Sequence, residues 1–183
     1  MSEERPAHKR KMPTRLHHHA FVAADHERTR HFYEDIIGMP LRAAWIEAAV
    51  VNGERLEFCH TFYGLEDGSA LAFFNYIDKA VQQRFYAGPQ PNMGYHIALN
   101  VDAGTQDEIF ERCQAAGLNP WLADHGYCKS LYVTDPDGLN VEFTVDPPGV
   151  AAINAEQQRI AHESLKRWQA GDTRPTNFVR PHD

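Results

Sequence analysis

Residues 125–142 read HGYCKSLYVTDPDGLNVE and centre on the turn sequence Asp-Pro-Asp-Gly at positions 135–138. Proline presets its own φ, and glycine adopts backbone angles that other residues avoid. Apolar and polar residues alternate in segments 130–134 and 139–145, which is typical of a β-hairpin. Glu142 therefore falls on the polar face of a strand, opposite Val141 and Phe143. A carboxylate in that position needs a partner, and a metal ion is one candidate.

The composition is that of an ordinary globular chain. Its 183 residues are enough for one well-packed core or two small fused modules. The net charge of −7 argues against a nucleic-acid partner. No apolar segment reaches membrane-spanning length, and the N-terminus lacks a signal-peptide core. The three cysteines lack metal-ligand spacing, which favours reduced thiols and a cytoplasmic protein.

The two halves of the chain predict the same order of elements, βαβββ. In the first half these are a strand at 15–22, a helix at 26–37, and strands at 41–51, 55–63 and 69–77. In the second half they are a strand at 94–101, a helix at 105–116 with Thr105 as its N-cap, and strands near 120–122, 130–134 and 139–145. Such a repeat predicts an α+β fold, in which paired βαβββ modules form an open, barrel-like mixed sheet with helices outside.

The remaining segments define the domain organisation that we expect. Residues 1–13 are charged and interrupted by proline, which indicates a mobile arm. The paired modules occupy residues 14–148, with module one at about 14–77 and module two at about 94–146. Residues 79–86 predict a short helix and residues 88–92 a linker. Residues 149–183 form a C-terminal helix, predicted at 150–169, and an irregular tail; this helix is a candidate cover for the barrel or for a subunit interface.

Two histidines occupy the same register on the first strand of each module. His18 and His96 both lie on the face opposite the large apolar side chains of their strands. With Glu142 they form a two-histidine, one-carboxylate set, which leaves other metal positions open and is the arrangement of non-haem Fe(II) oxygenases. His17 and His19 are alternatives to His18, and the match to His96 favours His18.

The βαβββ repeat with these residues resembles the vicinal oxygen chelate superfamily, which includes glyoxalases, bleomycin-resistance proteins and type I extradiol dioxygenases. The resemblance covers roughly residues 14–146. Within that superfamily, His125, Tyr132, the turn at 135–138 and Glu142 are similar to the signature of the extradiol ring-cleaving dioxygenases.

The resemblance implies a role for each matching residue. His18, His96 and Glu142 would bind Fe(II), with Mn(II), Zn(II) or Ni(II) as alternatives. Tyr132 would hydrogen-bond a hydroxyl of the substrate, and His125 would act at the rim of the substrate as a donor or acid–base group. The substrate would be a small aromatic diol that reacts with O₂, and we expect a homo-oligomer without nucleic-acid or membrane partners.

The first module departs from the extradiol pattern. Extradiol enzymes usually carry another catalytic histidine near the start of the last strand of the first module, and residues 68–73 contain none. His60, on the preceding strand, is a candidate replacement. Aligning the two modules places Ala72 opposite Glu142. Because alanine cannot bind a metal, the site would have three protein ligands instead of the four of glyoxalase-type sites.

Other functions and simpler roles fit parts of the pattern. A metal-dependent, glyoxalase-like lyase or isomerase would use a divalent ion as a Lewis acid. A small-molecule-sequestering resistance protein would use the same groove without chemistry, and the predicted metal ligands argue against it. His125 also fits an ordinary loop histidine, and Tyr132 an ordinary core tyrosine.

Overall fold

The structure, a computed structural model, describes residues 13–86, 95–172 and 174–181. The predicted arm, except for its last residue, and the predicted linker at 88–92 lie outside these ranges. Within the described part of the chain, no helix combines the length and the apolar character needed to cross a bilayer.

Module one is a four-stranded mixed sheet with a helical segment between its first two strands. Its elements are β1 (His18–Val22), α1 (His26–Arg30), a π-helical continuation (His31–Ile37), β2 (Leu41–Val51), β3 (Glu54–Gly64) and β4 (Ala70–Tyr76). The strand order is β1-β4-β3-β2, with β1 parallel to β4. Asp25 caps α1, since its carboxylate accepts the N–H groups of Glu27 and Arg28. The predicted helix is thus present, with wider winding in its second half.

Module two repeats this arrangement after a short helix. The short helix is α2 (Lys79–Phe85). The elements of module two are β5 (His96–Asn100), α3 (Ala103–Ala115), β6 (Trp121–Asp124), β7 (Lys129–Thr134) and β8 (Asn140–Val145). The strand order is β5-β8-β7-β6, with β5 parallel to β8. The prediction of Thr105 as the N-cap is wrong. Asp102 caps α3 instead, because its carboxylate accepts both the N–H and the hydroxyl of Thr105.

The strand registers confirm the predicted repeat and fold class. Ala20 pairs with Ala72 between β1 and β4, and Ala98 pairs with Glu142 between β5 and β8. Ala72 is therefore the structural equivalent of Glu142, as the sequence alignment of the two modules predicts. The two sheets are open and are not joined to each other by strand pairing in the described part of the chain.

One hydrophobic core is shared by the two modules. It contains buried side chains from both helical segments and from one face of each sheet: Phe32, Tyr33, Ile37, Tyr63, Leu71 and Phe73 in module one, and Leu99, Ile109, Cys113, Leu131, Val133, Val141 and Phe143 in module two. His18 and His96 lie on the opposite faces of their sheets. The modules are therefore packed through their helical sides, and the faces that carry the histidines lie outside this core.

The C-terminal region adds a helix and a short strand. Helix α4 (Val150–Gln169) has no buried residue. Strand β9 (Arg180–Pro181) pairs antiparallel with β6 and extends the second sheet to five strands. The prediction of an irregular tail is wrong at this point, because a two-residue strand has no alternating pattern of its own and forms only where an edge strand is available.

Candidate metal-binding and catalytic site

Glu142 is a buried carboxylate in the centre of the second sheet, with 5% of its surface exposed. Its Oε2 atom lies 3.0 Å from Nε2 of His96. Its Oε1 atom accepts two hydrogen bonds, from the Ser130 hydroxyl at 2.5 Å and from the Tyr132 hydroxyl at 2.9 Å. The two oxygens therefore have different surroundings, and only Oε2 faces a metal-binding type of side chain.

Tyr132 links Glu142 to His125. The Tyr132 hydroxyl lies 2.9 Å from Nε2 of His125. Because the single hydroxyl hydrogen is donated to Glu142, His125 must carry a proton on Nε2 to complete this contact. Burial, together with the hydrogen bond to Glu142, raises the pKa of Tyr132 well above its usual value. The phenol therefore stays protonated at neutral pH and acts as a donor.

The loop that carries His125 is held on two sides. The His125 N–H donates to the carbonyl of Cys128 at 2.9 Å, and Gly126 adopts a φ of 77° that closes the turn. The side-chain amide of Asn177, in the C-terminal tail, donates to the carbonyl of His125 at 2.7 Å. The position of His125 thus depends on its own turn and on the end of the chain.

His18 and His60 lie together on the first sheet, away from this cluster. Their ring centroids are 6.0 Å apart, and the His60 ring stacks on Phe74 at 3.7 Å. Burial lowers the pKa of His60, although Glu47 at 3.8 Å opposes this shift. Nε2 of His60 is buried and has no hydrogen-bond partner among the described residues. Within one chain, His60 therefore makes no hydrogen bond to Tyr132 or His125 through this nitrogen.

Within one chain, the described residues do not gather His18, His96 and Glu142 into one group, and the predicted three-residue metal site stays a prediction. Among the described residues, no group of three or more His, Cys, Asp or Glu side chains is arranged to hold a metal ion. His96 and Glu142 are adjacent, whereas His18 contacts His17, His60 and Phe62 on the other sheet. The two modules share one core but have separate sheets, with His18 on the first sheet and His96 and Glu142 on the second. The donor types still fit a divalent ion, because an imidazole and a carboxylate are ready to bind side by side.

Two residues of the site were not singled out from the sequence. Ser130 is fully buried and bonds Glu142, and Trp121 stacks on the Tyr132 ring with centroids 4.2 Å apart. Because side chains alternate along a strand, Ser130 and Tyr132 lie on one face of β7, and the sequence could have predicted that Ser130 belongs to the site. Trp121 has no such signal, since its position depends on the pairing of β6 with β7.

Among the described strand positions, the face around Glu142 carries neither lysine nor arginine. The strand positions of β5 to β8 that share this face are His96, Ala98, Asn100, Trp121, Ala123, Ser130, Tyr132, Thr134, Asn140, Glu142 and Thr144. None of these is lysine or arginine. The site thus offers aromatic and neutral hydrogen-bonding surface next to one carboxylate.

The Asp-Pro-Asp-Gly turn ties module two to module one. Oδ2 of Asp135 accepts the Tyr33 hydroxyl at 2.9 Å, and burial raises the pKa of Asp135 to about 6. Oδ1 of Asp137 accepts the Ala24 N–H and the Tyr86 hydroxyl. Both carboxylates line a cavity of about 700 Å³ that is also lined by His96 and by residues of module one. The turn therefore has a structural role in linking the two modules.

Comparisons with known proteins agree with this architecture. A family model described as the Glyoxalase/Bleomycin resistance protein/Dioxygenase superfamily matches residues 15–143. Glutathione transferase FosA from Serratia marcescens is 25% identical over 130 residues, which cover 71% of this chain and 79% of that protein.

Solved structures share the fold at low identity. FosX from Listeria monocytogenes, in a complex with Mn(II) and 1S,2S-dihydroxypropylphosphonic acid, matches with a TM-score of 0.51 and 18% identity over 73% of this chain and 93% of FosX. The oxidase ChaP-H2 matches with a TM-score of 0.51 and 22% identity over 75% of this chain and 98% of the oxidase. With the family model spanning both modules, this chain belongs to the glyoxalase/bleomycin resistance protein/dioxygenase superfamily.

Proposed function

We propose that this protein is a metal-dependent dioxygenase of the extradiol type that cleaves a catechol-like aromatic substrate with O₂. The observation that carries the proposal is the continuous chain of contacts from His96 through Glu142 and Tyr132 to His125. Two candidate metal ligands and two candidate proton-handling groups thus lie on one open face of a sheet.

The candidate metal ligands are His96, Glu142 and His18. His96 and Glu142 would supply one imidazole nitrogen and one carboxylate oxygen, with Fe(II) as the expected ion and Mn(II), Zn(II) or Ni(II) as alternatives. A bound Fe(II) would supply the redox chemistry that O₂ needs to react with an electron-rich ring. The presence of Mn(II) in FosX, which shares the fold, is consistent with a divalent ion at such a site.

We propose that His18 comes from a second copy of the chain. The His18 face and the Glu142 face each carry an exposed tryptophan, Trp45 at 60% and Trp121 at 40% exposure. A dimer that places the His18 face of one copy over the Glu142 face of the other would cover this aromatic surface. The same arrangement would bring His60 within range of the substrate, where its buried Nε2 would gain a partner.

The surroundings of the site favour a flat, uncharged ring as the substrate. The face that carries His18 is rich in aromatic side chains, namely Trp45, Phe58, Phe62, Phe74 and Tyr76. Stacking on such side chains suits an aromatic substrate. A phosphonate such as the one bound to FosX carries negative charge, and the strand positions described on the Glu142 face include no lysine or arginine to receive it.

Tyr132 and His125 would handle protons during the reaction. The Tyr132 hydroxyl remains protonated at neutral pH, and its single hydrogen, which it donates to Glu142 in the free protein, would turn to a substrate oxygen on binding. His125, with a proton on Nε2, lies 2.9 Å from the Tyr132 oxygen and can pass a proton toward it or withdraw one. This division of roles needs no charged side chain other than Glu142 at the centre of the site.

Anaerobic reconstitution tests the proposal. The purified protein is loaded with Fe(II) under argon, mixed with 2,3-dihydroxybiphenyl and then exposed to air. We expect a yellow ring-fission product, and metal analysis of the same sample should show bound iron. Bound metal without any ring-fission product from a panel of catechols would contradict the proposed reaction.

The similarity to FosA supports a second candidate, in which a divalent ion acts as a Lewis acid on a small oxygenated substrate. The same preparation, loaded with Mn(II), Ni(II) or Zn(II), would then convert a hemithioacetal or a fosfomycin-like epoxide without consuming O₂. An oxygen electrode separates the two candidates, because only the dioxygenase reaction consumes O₂.

A further inference from the structure

We propose that Ser130 is a positioning residue for the metal site, which holds Oε1 of Glu142 so that Oε2 alone is presented beside His96. The inference rests on the proposed metal-binding role of His96 and Glu142. It assigns a task to a buried residue that the proposed reaction does not otherwise use.

The strongest hydrogen bond of the Ser130 hydroxyl is the one that it donates to Glu142. The side chain is fully buried, with 0% exposure, on the central strand β7. Its hydroxyl donates to Oε1 of Glu142 at 2.5 Å, and the Tyr132 hydroxyl and Sγ of Cys128, the latter at 3.5 Å, are its other polar neighbours. Because a buried hydroxyl without an acceptor is destabilising, the bond to Glu142 accounts for a polar residue at this position.

Ser130 and Tyr132 act on the same oxygen from one strand. They are two residues apart on β7, and their hydroxyl groups converge on Oε1 of Glu142. The terminal torsion of a glutamate is broad when nothing restrains it. Two donors on one oxygen fix this torsion, and the other oxygen then points to His96 at 3.0 Å. Removal of one donor would leave the carboxylate less well oriented.

Module one shows that the fold itself does not require serine at this position. By register, His60 pairs with Phe74 where Ser130 pairs with Thr144, and Ala72 stands where module two has Glu142. The module without the carboxylate thus lacks the hydroxyl as well. The serine is present only in the module that has the carboxylate, as expected of a residue whose role is to orient that metal ligand.

The experiment compares the metal affinity of three full-length variants with that of the wild-type protein. Ser130→Ala removes the donor, whereas Ser130→Thr keeps it. Ser69→Ala is the matched control, since the buried Ser69 hydroxyl makes a bond of the same length, 2.5 Å, to Asp67 in a turn of module one. Binding of Mn(II) and Co(II) is measured by titration calorimetry, and the Co(II) absorption spectrum reports the ligand geometry.

We expect Ser130→Ala to weaken metal binding by roughly 10- to 100-fold and to change the Co(II) spectrum. Ser130→Thr should retain most of the affinity, and Ser69→Ala should lower thermal stability without any effect on the metal. Circular dichroism identifies a variant that fails to fold, and in that case Ser130→Thr alone, compared with wild type, decides whether an intact hydroxyl preserves the site.

The outcomes separate this inference from the proposed reaction. Wild-type affinity and an unchanged spectrum in Ser130→Ala would overturn the role of Ser130 while leaving the metal site intact. A wild-type protein that takes up no divalent metal would overturn both. Metal binding that depends on Ser130, without turnover of catechols, would support the positioning role and contradict only the dioxygenase reaction.

Discussion

Among single residues, Asp135 has an environment that makes stability depend on pH. Burial raises its pKa to about 6, above the 3.8 of an exposed aspartate. The folded state therefore binds this proton more tightly than the unfolded state. The stabilising effect is fully present below the unfolded pKa and is lost as the pH rises through the folded pKa.

Asp135→Asn should remove this dependence, because asparagine does not titrate. Relative to wild type, the unfolding free energy of the variant should rise by up to about 3 kcal/mol between about pH 4 and about pH 7. Urea denaturation of both proteins at the two pH values measures the difference. A constant difference between variant and wild type across this range would contradict the raised pKa.

Tyr132→Phe tests the hydroxyl between Glu142 and His125. The variant keeps Ser130 on Oε1 of Glu142 but loses the second donor to that oxygen, so we expect it to bind the metal more weakly and to be fully loaded at saturating metal, where turnover is measured. Turnover of a catechol should fall by roughly 100-fold, since the proton-handling group is lost. Tyr127→Phe is the control, because Tyr127 is exposed and its ring lies beside His125 without a hydroxyl contact to Glu142. Equal rates in both variants would remove Tyr132 from the mechanism.

At the level of elements, Arg112 connects the helices of the two modules. From α3 it donates through Nε to the carbonyl of Ile36 at 2.7 Å and through a terminal nitrogen to that of Ile37 at 2.9 Å. These carbonyls end the π-helical segment and would otherwise lack helical partners. The planar guanidinium suits two parallel acceptors, and a lysine ammonium cannot reproduce this geometry.

Arg112→Lys should therefore destabilise the protein by about 1 kcal/mol, a modest value because the side chain is partly exposed. Arg159→Lys is the matched control, because Arg159 makes an exposed ion pair with Glu156 within α4. We expect this control to change stability very little. Denaturant midpoints measure both effects, and equal midpoints for the two variants would show that the link between the helices contributes nothing.

For the whole molecule, the decisive question is whether two copies complete one site. His18→Ala and Glu142→Ala should each bind no metal tightly and show no turnover. In a mixed dimer of these variants, one of the two sites would contain an intact His18, His96 and Glu142. Unfolding and refolding an equal mixture should therefore restore about a quarter of the wild-type activity.

The control mixture combines His96→Ala with Glu142→Ala. Both changes lie in module two, so every site in every dimer stays defective and no activity should return. Sedimentation of the wild type, whose chain mass is 20.8 kDa, tests for the dimer directly. Failure of the first mixture alongside an active, dimeric wild type would show that a site is built within one chain.

The sequence determined the features that depend on local interactions and period. The hairpin around residues 135–138, the two βαβββ modules and the equivalence of Ala72 with Glu142 follow from turn residues and alternation. The sequence also determined that Tyr132 and Glu142 lie side by side, because the turn of a hairpin sets the register of its two strands.

The tertiary structure alone decided how the modules face each other. The histidines of the two modules have the same register, yet packing through the helices separates His18 from His96 and Glu142 within one chain. Ser130 and Trp121 at the site, and the pairing of β9 with β6, likewise depend on contacts between distant segments. Hydrophobic periodicity and secondary-structure propensity describe one element at a time. They contain no information on which surfaces of two folded modules come into contact.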